Sequence, residues 1–292
     1  MQDIDINGLK TSEEELHGCQ VTTVHVQTEQ AAKQLNRVVG SYITIETSTK
    51  LNEHMKIDEV GECLDEILDR MLQPYYGGNL CICGIGNRDI PADALGPEVT
   101  GNLPLMALTE IEGKGNFQTV SSIAPGIVLT NNINTDVIMD GVTKAVGADC
   151  VLLVDSLFSK DPSKLFQTIQ LSTNGGFRQN LSGRRANWSA LGIPVISLGI
   201  PMAIPLSALS SDQDLDSELF TSTKVQSVID TAGRIIAYAI LRVCWPTQSK
   251  AECFVWSGLN KNPVPYSFML EGGDGKRGER KKITDGRAEI AI

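Results

Sequence analysis

Residues 20–26 (QVTTVHV) and 42–47 (YITIET) alternate β-branched or aromatic side chains with polar ones, as half-buried strands do, and EQAAKQLNR between them predicts a short helix. From 56 to 73 the period changes. Ile57, Val60, Cys63, Leu64, Ile67, Leu68 and Met71 recur at spacings of three and four, an amphipathic stripe that Pro74 and Gly77-Gly78 bring to a stop. Short apolar runs then follow at 79–85, 117–123, 150–155, 166–171 and 194–200, alternating with helical stretches such as 133–147. Continuous apolar runs of this kind suit strands buried on both faces. The pattern therefore predicts an α/β fold, a three-layer doubly wound sandwich around a mostly parallel central sheet. A last helix at 224–243 turns Val225, Val228, Ile229, Ala232, Ile235, Ile236, Ala239 and Ile240 to the core.

The two ends read differently. Residues 1–18 are polar and acidic, the composition of a poorly ordered leader, although Ser12 and Glu15 could equally form a capping box on a short helix. Residues 251–292 form a divergent tail, and its last stretch, 272–292, mixes glycine with dense charge and is expected to be loose. Trp256 and Pro263-Val264-Pro265-Tyr266 could pack on the domain or on another subunit. A single catalytic domain is expected between, at 19–250, and no internal repeat is visible.

The chain has 292 residues, 41% of them hydrophobic and 21% charged, enough for one large soluble domain. Its formal charge of -10 argues against binding nucleic acid through phosphates and favours neutral or basic partners. Seven cysteines, odd in number and several of them within strongly apolar stretches, read as reduced, buried thiols. Cys81-Ile82-Cys83 is one residue short of a CxxC pair, and no histidine cluster completes a metal site. The acidic start lacks the features of a signal peptide and no apolar stretch reaches spanning length, so a cytoplasmic location is expected.

In an open α/β sheet, ligands gather beyond the carboxyl ends of the strands, so the residues following each apolar run carry the interest. Asp93 follows the run at 79–85 through the turn Gly86-Asn87-Arg88-Asp89-Ile90-Pro91-Ala92, and Asp155 ends the run at 150–154. Each alone has a structural alternative: Asp93 as a helix N-cap, Asp155 as a loop cap. Together, two carboxyls sharing a site can split their pKa values, one serving as base for water and the other as acid for a leaving amine. The segment Gly84-Ile85-Gly86-Asn87-Arg88-Asp89 is GxGxxD rather than the dinucleotide fingerprint. A serine or cysteine nucleophile would need a base, and His17, His25 and His54 all precede the main sheet. Ser121 and Ser122 are expected to bond backbone in the turn Ala124-Pro125-Gly126.

The segments VGSYITIE (39–46), ICGIGNRDIPADALGPEV (82–99), SSIAPGIVLTNNINTDVIMDGVTKAVGADCVLLVDSL (121–157) and SGRRANWSALGIPVISLGIP (182–201) stand in the order found in the germination proteases of spore-forming bacteria, which this chain resembles from about Thr23 to about Ala208. The resemblance implies a fold related to the hydrogenase maturation proteases and an endopeptidase that degrades small acid-soluble spore proteins, with its two catalytic aspartates falling on Asp93 and Asp155. It also implies a zymogen that sheds an N-terminal peptide, a homotetramer, and a place inside the spore or forespore. The hydrogenase-processing relatives add an acidic residue after the first aspartate and, elsewhere, a histidine for metal, which has no counterpart nearby in this chain. Ala94 stands in place of the acidic residue, so no metal and no cofactor is expected. Asn87, Arg88 and Arg184 are candidates for orienting substrate. Departures at Ser156-Leu157-Phe158-Ser159-Lys160 and the unusual tail after Cys244 motivate an alternative, a non-enzymatic sporulation or assembly protein that binds a peptide in the same cleft, while the altered loop at Gly175–Gly183 bears on substrate choice.

Overall fold

In a computed structural model of the chain, the described residues are 7–47, 50–51, 57–105, 115–175, 188–209 and 218–259. The strands are β1 (Leu9–Leu16), β2 (Cys19–Val26), β3 (Gly40–Glu46), β4 (Asn79–Gly84), β5 (Thr119–Ile123), β6 (Cys150–Phe158), β7 (Thr168–Ser172), β8 (Val195–Pro205) and β9 (Leu219–Phe220). The α-helices are α1 (Glu29–Leu35), α2 (Ile57–Leu72), α3 (Leu95–Gly101), α4 (Val128–Asn131), α5 (Thr135–Val146), α6 (Val225–Cys244) and α7 (Lys250–Trp256). The strands form one mixed sheet in the order β1-β2-β3-β7-β8-β6-β4-β5, with β9 on β8.

This sheet is α/β but not mostly parallel. β5, β4, β6 and β8 run parallel to one another. The pairings of β1 with β2, β2 with β3, β3 with β7 and β7 with β8 are antiparallel. The apolar run expected to be a further parallel strand at 166–171 is β7, inserted antiparallel between β3 and β8. Only residues 159–167 separate β6 from β7, too few for the crossover helix that a parallel return requires.

The leader is also corrected in part. Leu9–Leu16, expected to be loose or helical, pairs with β2 along its whole length, from Leu9 opposite Val26 to Leu16 opposite Cys19. The strands are joined by His17 and Gly18, both at positive φ (49° and 76°), the conformation of a tight hairpin turn that matches strand twist. An edge strand needs ladder hydrogen bonds more than buried side chains. Its exposed Lys10, Glu13, Glu14 and Glu15 therefore misled a reading based on composition, and such charges also discourage edge-to-edge association.

Alternation along the central strands sorts the core into two faces. Leu80 and Ile82 of β4, Leu152 and Val154 of β6, and Ile196 and Leu198 of β8 point into one cluster with α2, α3 and α6. Cys81, Cys83, Val151, Leu153 and Val195 point the other way, to Met139 of α5 and to Trp188 and Leu191. The stripes read from 56–73 and 224–243 are thus the inner faces of α2 and α6, which pack on each other. A small satellite cluster seats Ala31 and Ala32 of α1 against Val26. All seven cysteines are free and buried, as their apolar settings predicted. The expectations for 272–292 and for Pro263–Tyr266 lie outside the described residues, whereas Lys250–Trp256 forms α7 under a Ser249–Glu252 capping box.

Candidate active site

The site is built where β4 stops. Ile85 N donates to Val154 O (2.8 Å), extending the ladder one residue beyond the strand, and then the backbone leaves the sheet. Gly86 makes this exit at φ 136°, and a Cβ there would lie 1.8 Å from Asp93 O, so the turn tolerates only glycine. The following loop folds back on itself: Ile90 N donates to Asn87 O and Asp93 N to Ile90 O, ending in a 3-10 turn at Pro91–Asp93. Asn87 N closes the loop by donating to Asp93 O (3.0 Å) and to Asp93 Oδ2 (2.9 Å). Helix α3 then lies backbone to backbone against the strand end, because Gly84 and Gly96 let the two chains approach: a Cβ on Gly84 would sit 2.1 Å from Gly96 O.

This geometry removes the capping alternative for Asp93. Ala94 is the N-cap of α3, and the Asp93 carboxylate turns back to Asn87 N. The free amide of Leu95 is met instead by Ser156 Oγ from β6 (3.3 Å), so the residue after Asp155 holds the residue two past Asp93. The 3-10 turn packs on β6, β8 and α6.

Asp155 is not a loop cap either. It lies within β6 opposite Gly199 of β8, in a strand three residues longer than the apolar run suggested. Because β4 ends opposite Val154, Asp155 is the first β6 residue past the end of its neighbour. Alternation puts its side chain on the face of Val151 and Leu153. Both carboxyls are buried, each 6% exposed. Burial raises Asp93 to about 6, opposed by the Asn87 amide. Burial raises Asp155 well above the usual carboxylate range, and the charge of Asp93 raises it further. The charge of Asp93 thus acts on Asp155, and both carboxyls are shifted toward their protonated forms.

Asp93 borders an apolar pocket of about 300 Å3, lined also by Ile90 and Ala92, by Ile127 and Leu129 at α4, by Ala203 of β8, and by Leu219, Phe220 and Thr221 at β9. Sequence reasoning missed most of this wall. Leu219 and Phe220 form an isolated apolar pair outside the main runs, 45% and 43% exposed, and only their pairing on β8 brings them to the pocket. Ser156 carried no signal beyond being a polar residue inside a buried strand.

The family model for germination proteases matches residues 1–218. The chain belongs to this family. It is 30% identical over 234 residues to the germination protease of Caldanaerobacter subterraneus subsp. tengcongensis, covering 77% of this chain and 72% of that one. It is 29% identical over 222 residues to that of Priestia megaterium, covering 71% and 59%, and 28% identical over 212 residues to that of Clostridium perfringens, covering 70% and 64%. The matched stretch thus spans less than two thirds of the last two relatives' length. Within the germination protease match lie both aspartates and β1 to β8, whereas β9, α6 and α7 follow it.

The remaining candidates scatter. Asn87 joins Asp93 through its backbone, while its side chain accepts from Asp89 N in an Asx turn. Arg88 reaches the other way: its Nη2 donates to Pro97 O (2.6 Å) and its Nη1 lies 3.8 Å from Glu98 Oε2, on α3. Arg184 and His54 lie outside the described residues. His17 contacts Glu66 of α2 (3.1 Å) and His25 contacts Ser41 (2.8 Å), both in the part of the sheet remote from the aspartates. Ser121 does not bond the 124–126 turn, since its hydroxyl donates to Leu80 O on β4 (3.4 Å). Among the described residues no three His, Cys, Asp or Glu groups are placed to hold a metal ion, and no helix is long and apolar enough to cross a membrane.

Proposed function

We propose that this chain is an endopeptidase that hydrolyses small acid-soluble spore proteins with water activated between Asp93 and Asp155, without a metal. The observation that carries the reading is the two buried carboxyls, both raised and Asp155 raised in part by the charge of Asp93, with Asp93 on the wall of an apolar pocket. Asp93, on the pocket wall and the lower of the two, takes a proton from water as the oxygen attacks the scissile carbonyl. Asp155, the more deeply held proton, delivers it to the departing amine, and passage of the proton taken up by Asp93 back to Asp155 restores the pair. Asn87 N fixes the Asp93 carboxylate, and Ser156 fixes the turn that carries it.

An acidic enzyme suits extended, basic or neutral chains as substrate, in the spore or forespore interior. Assembly as a homotetramer and maturation by loss of the N-terminal leader belong to the same proposal. Loss of that leader would strip β1 from β2 and leave β2 as the sheet edge. The test is cleavage of an unfolded spore protein by the purified chain and by Asp93→Asn and Asp155→Asn. Each variant should lose cleavage about a thousandfold while keeping its circular dichroism. Full activity in either variant refutes the assignment, and a wild type that binds the protein without cutting it points to the non-enzymatic alternative.

A further inference from the structure

Seven thiols are buried, and one pair of them is arranged to react. Cys19 opens β2 directly after the His17-Gly18 turn, and that turn is pressed on α2 at two points. His17 Nε2 lies 3.1 Å from Glu66 Oε2, and a Cβ on Gly18 would lie 3.0 Å from Glu59 Oε2. Glu59, Cys63 and Glu66 follow one another at spacings of four and three along α2, so they share one stripe of the helix. The residue after Gly18 is therefore aimed at the middle of that stripe. Cys19 and Cys63 are buried in the same cluster, 2% and 0% exposed. Each thiol is also the largest influence on the other's ionisation, which lowers Cys19 and raises Cys63.

We propose that Cys19 and Cys63 form a dithiol site that a small-molecule disulfide of the glutathione class converts to an intramolecular disulfide, tying the β1–β2 hairpin to α2. The Cys19 thiolate attacks one sulfur of the small disulfide and releases one thiol. Cys63, after losing its proton, attacks Cys19 Sγ and releases the second. The protein loses two hydrogens and the small disulfide is reduced to two thiols. Access is through the surface turn next to Cys19, whose His17 contact with Glu66 is solvent-exposed. Cys81 and Cys83 sit two apart on one strand, and burial pushes both thiols up; Cys244 and Cys253, although near each other, are likewise both raised by burial.

The experiment treats the reduced full-length chain with excess oxidised glutathione near pH 8, alkylates it under denaturing conditions and maps the peptides by mass spectrometry. The expected product is one cross-linked peptide joining Cys19 to Cys63, two mass units lighter, with the other five cysteines alkylated. In Cys63→Ser, Cys19 should instead retain a glutathione adduct. In Cys19→Ser no adduct should appear at Cys63, and circular dichroism confirms that both variants are folded. Cys19 and Cys63 both alkylated after oxidation of the wild type, or a cross-link between other cysteines, overturns the proposal.

Discussion

The two halves of the sheet use the same apolar strands for different ends. In the half made of β5, β4, β6 and β8, strands run parallel, their carboxyl ends lie together, and the exit of β4 carries the turn with Asp93 onto β6, where Asp155 is the first residue past the end of β4. In the half made of β7, β3, β2 and β1, strands run antiparallel, so their ends alternate and no common rim of carboxyl ends arises. His17 and His25 fall in the second half, engaged with Glu66 and Ser41, and His54 lies outside the described residues. Parallel direction gathers chemistry at one edge, and antiparallel direction extends and closes the sheet.

The largest effect expected from breaking that contrast is chemical. Asp155→Asn should cut the cleavage rate of an unfolded spore protein about a thousandfold, whereas His25→Ala in the antiparallel half should leave it within about twofold. Equal losses in both would erase the distinction between the halves.

Next in size is the backbone at the β4 exit. Gly86→Val puts a branched side chain at φ 136°, where a Cβ would already lie 1.8 Å from Asp93 O. It should cost more than about 3 kcal/mol in urea unfolding or displace Asp93 and abolish activity. A stable and active variant would show that the turn is not fixed as described.

The third test is a pH dependence. Asp93 is raised to about 6 in the folded state, against an ordinary value near 3.9, so the folded protein binds this proton more tightly than the unfolded chain does. Stability from this group is therefore full below about pH 4 and is lost as pH rises through about 6, leaving a buried charge at neutral pH. Asp93→Asn should flatten that part of the profile and raise stability at pH 7 by about 2 kcal/mol, while activity is lost. Activity of the wild type should fall as pH drops below about 6, because the base is then protonated.

Smaller still, Ser156→Ala removes the group that meets Leu95 N and should cost about 1 kcal/mol, lowering kcat more than it raises KM. The matching change in the antiparallel half is Arg70→Ala, which removes exposed ion pairs to Glu14 and Glu66. It should cost less than about 1 kcal/mol and leave kcat unchanged.

The two halves were also unequally legible in the sequence. Runs such as 79–85 and 150–155 announce buried strands because both faces are covered, and the long stripes of α2 and α6 announce their inner faces. Strand direction was not legible: the run at 166–171 has the composition of a parallel strand, and only its short connection to β6 forces it antiparallel. β1 was hidden because an edge strand stabilised by main-chain bonds can carry glutamates. At the site, both aspartates were visible as carboxyls after apolar runs, yet their capping alternatives fell only to geometry, with Asp93 turned to Asn87 and Asp155 inside β6. The wall formed by Leu129, Leu219 and Phe220 depends on which loops meet in space, which no local pattern encodes.

The central claim is that the two carboxyls act as one pair, and titrating them by carboxyl-detected NMR tests it most directly. The account predicts a midpoint near 6 for Asp93, a higher one for Asp155, and a fall in the Asp155 midpoint in Asp93→Asn as the neighbouring charge is removed. An Asp155 that titrates near 4 and ignores the loss of Asp93 would contradict it.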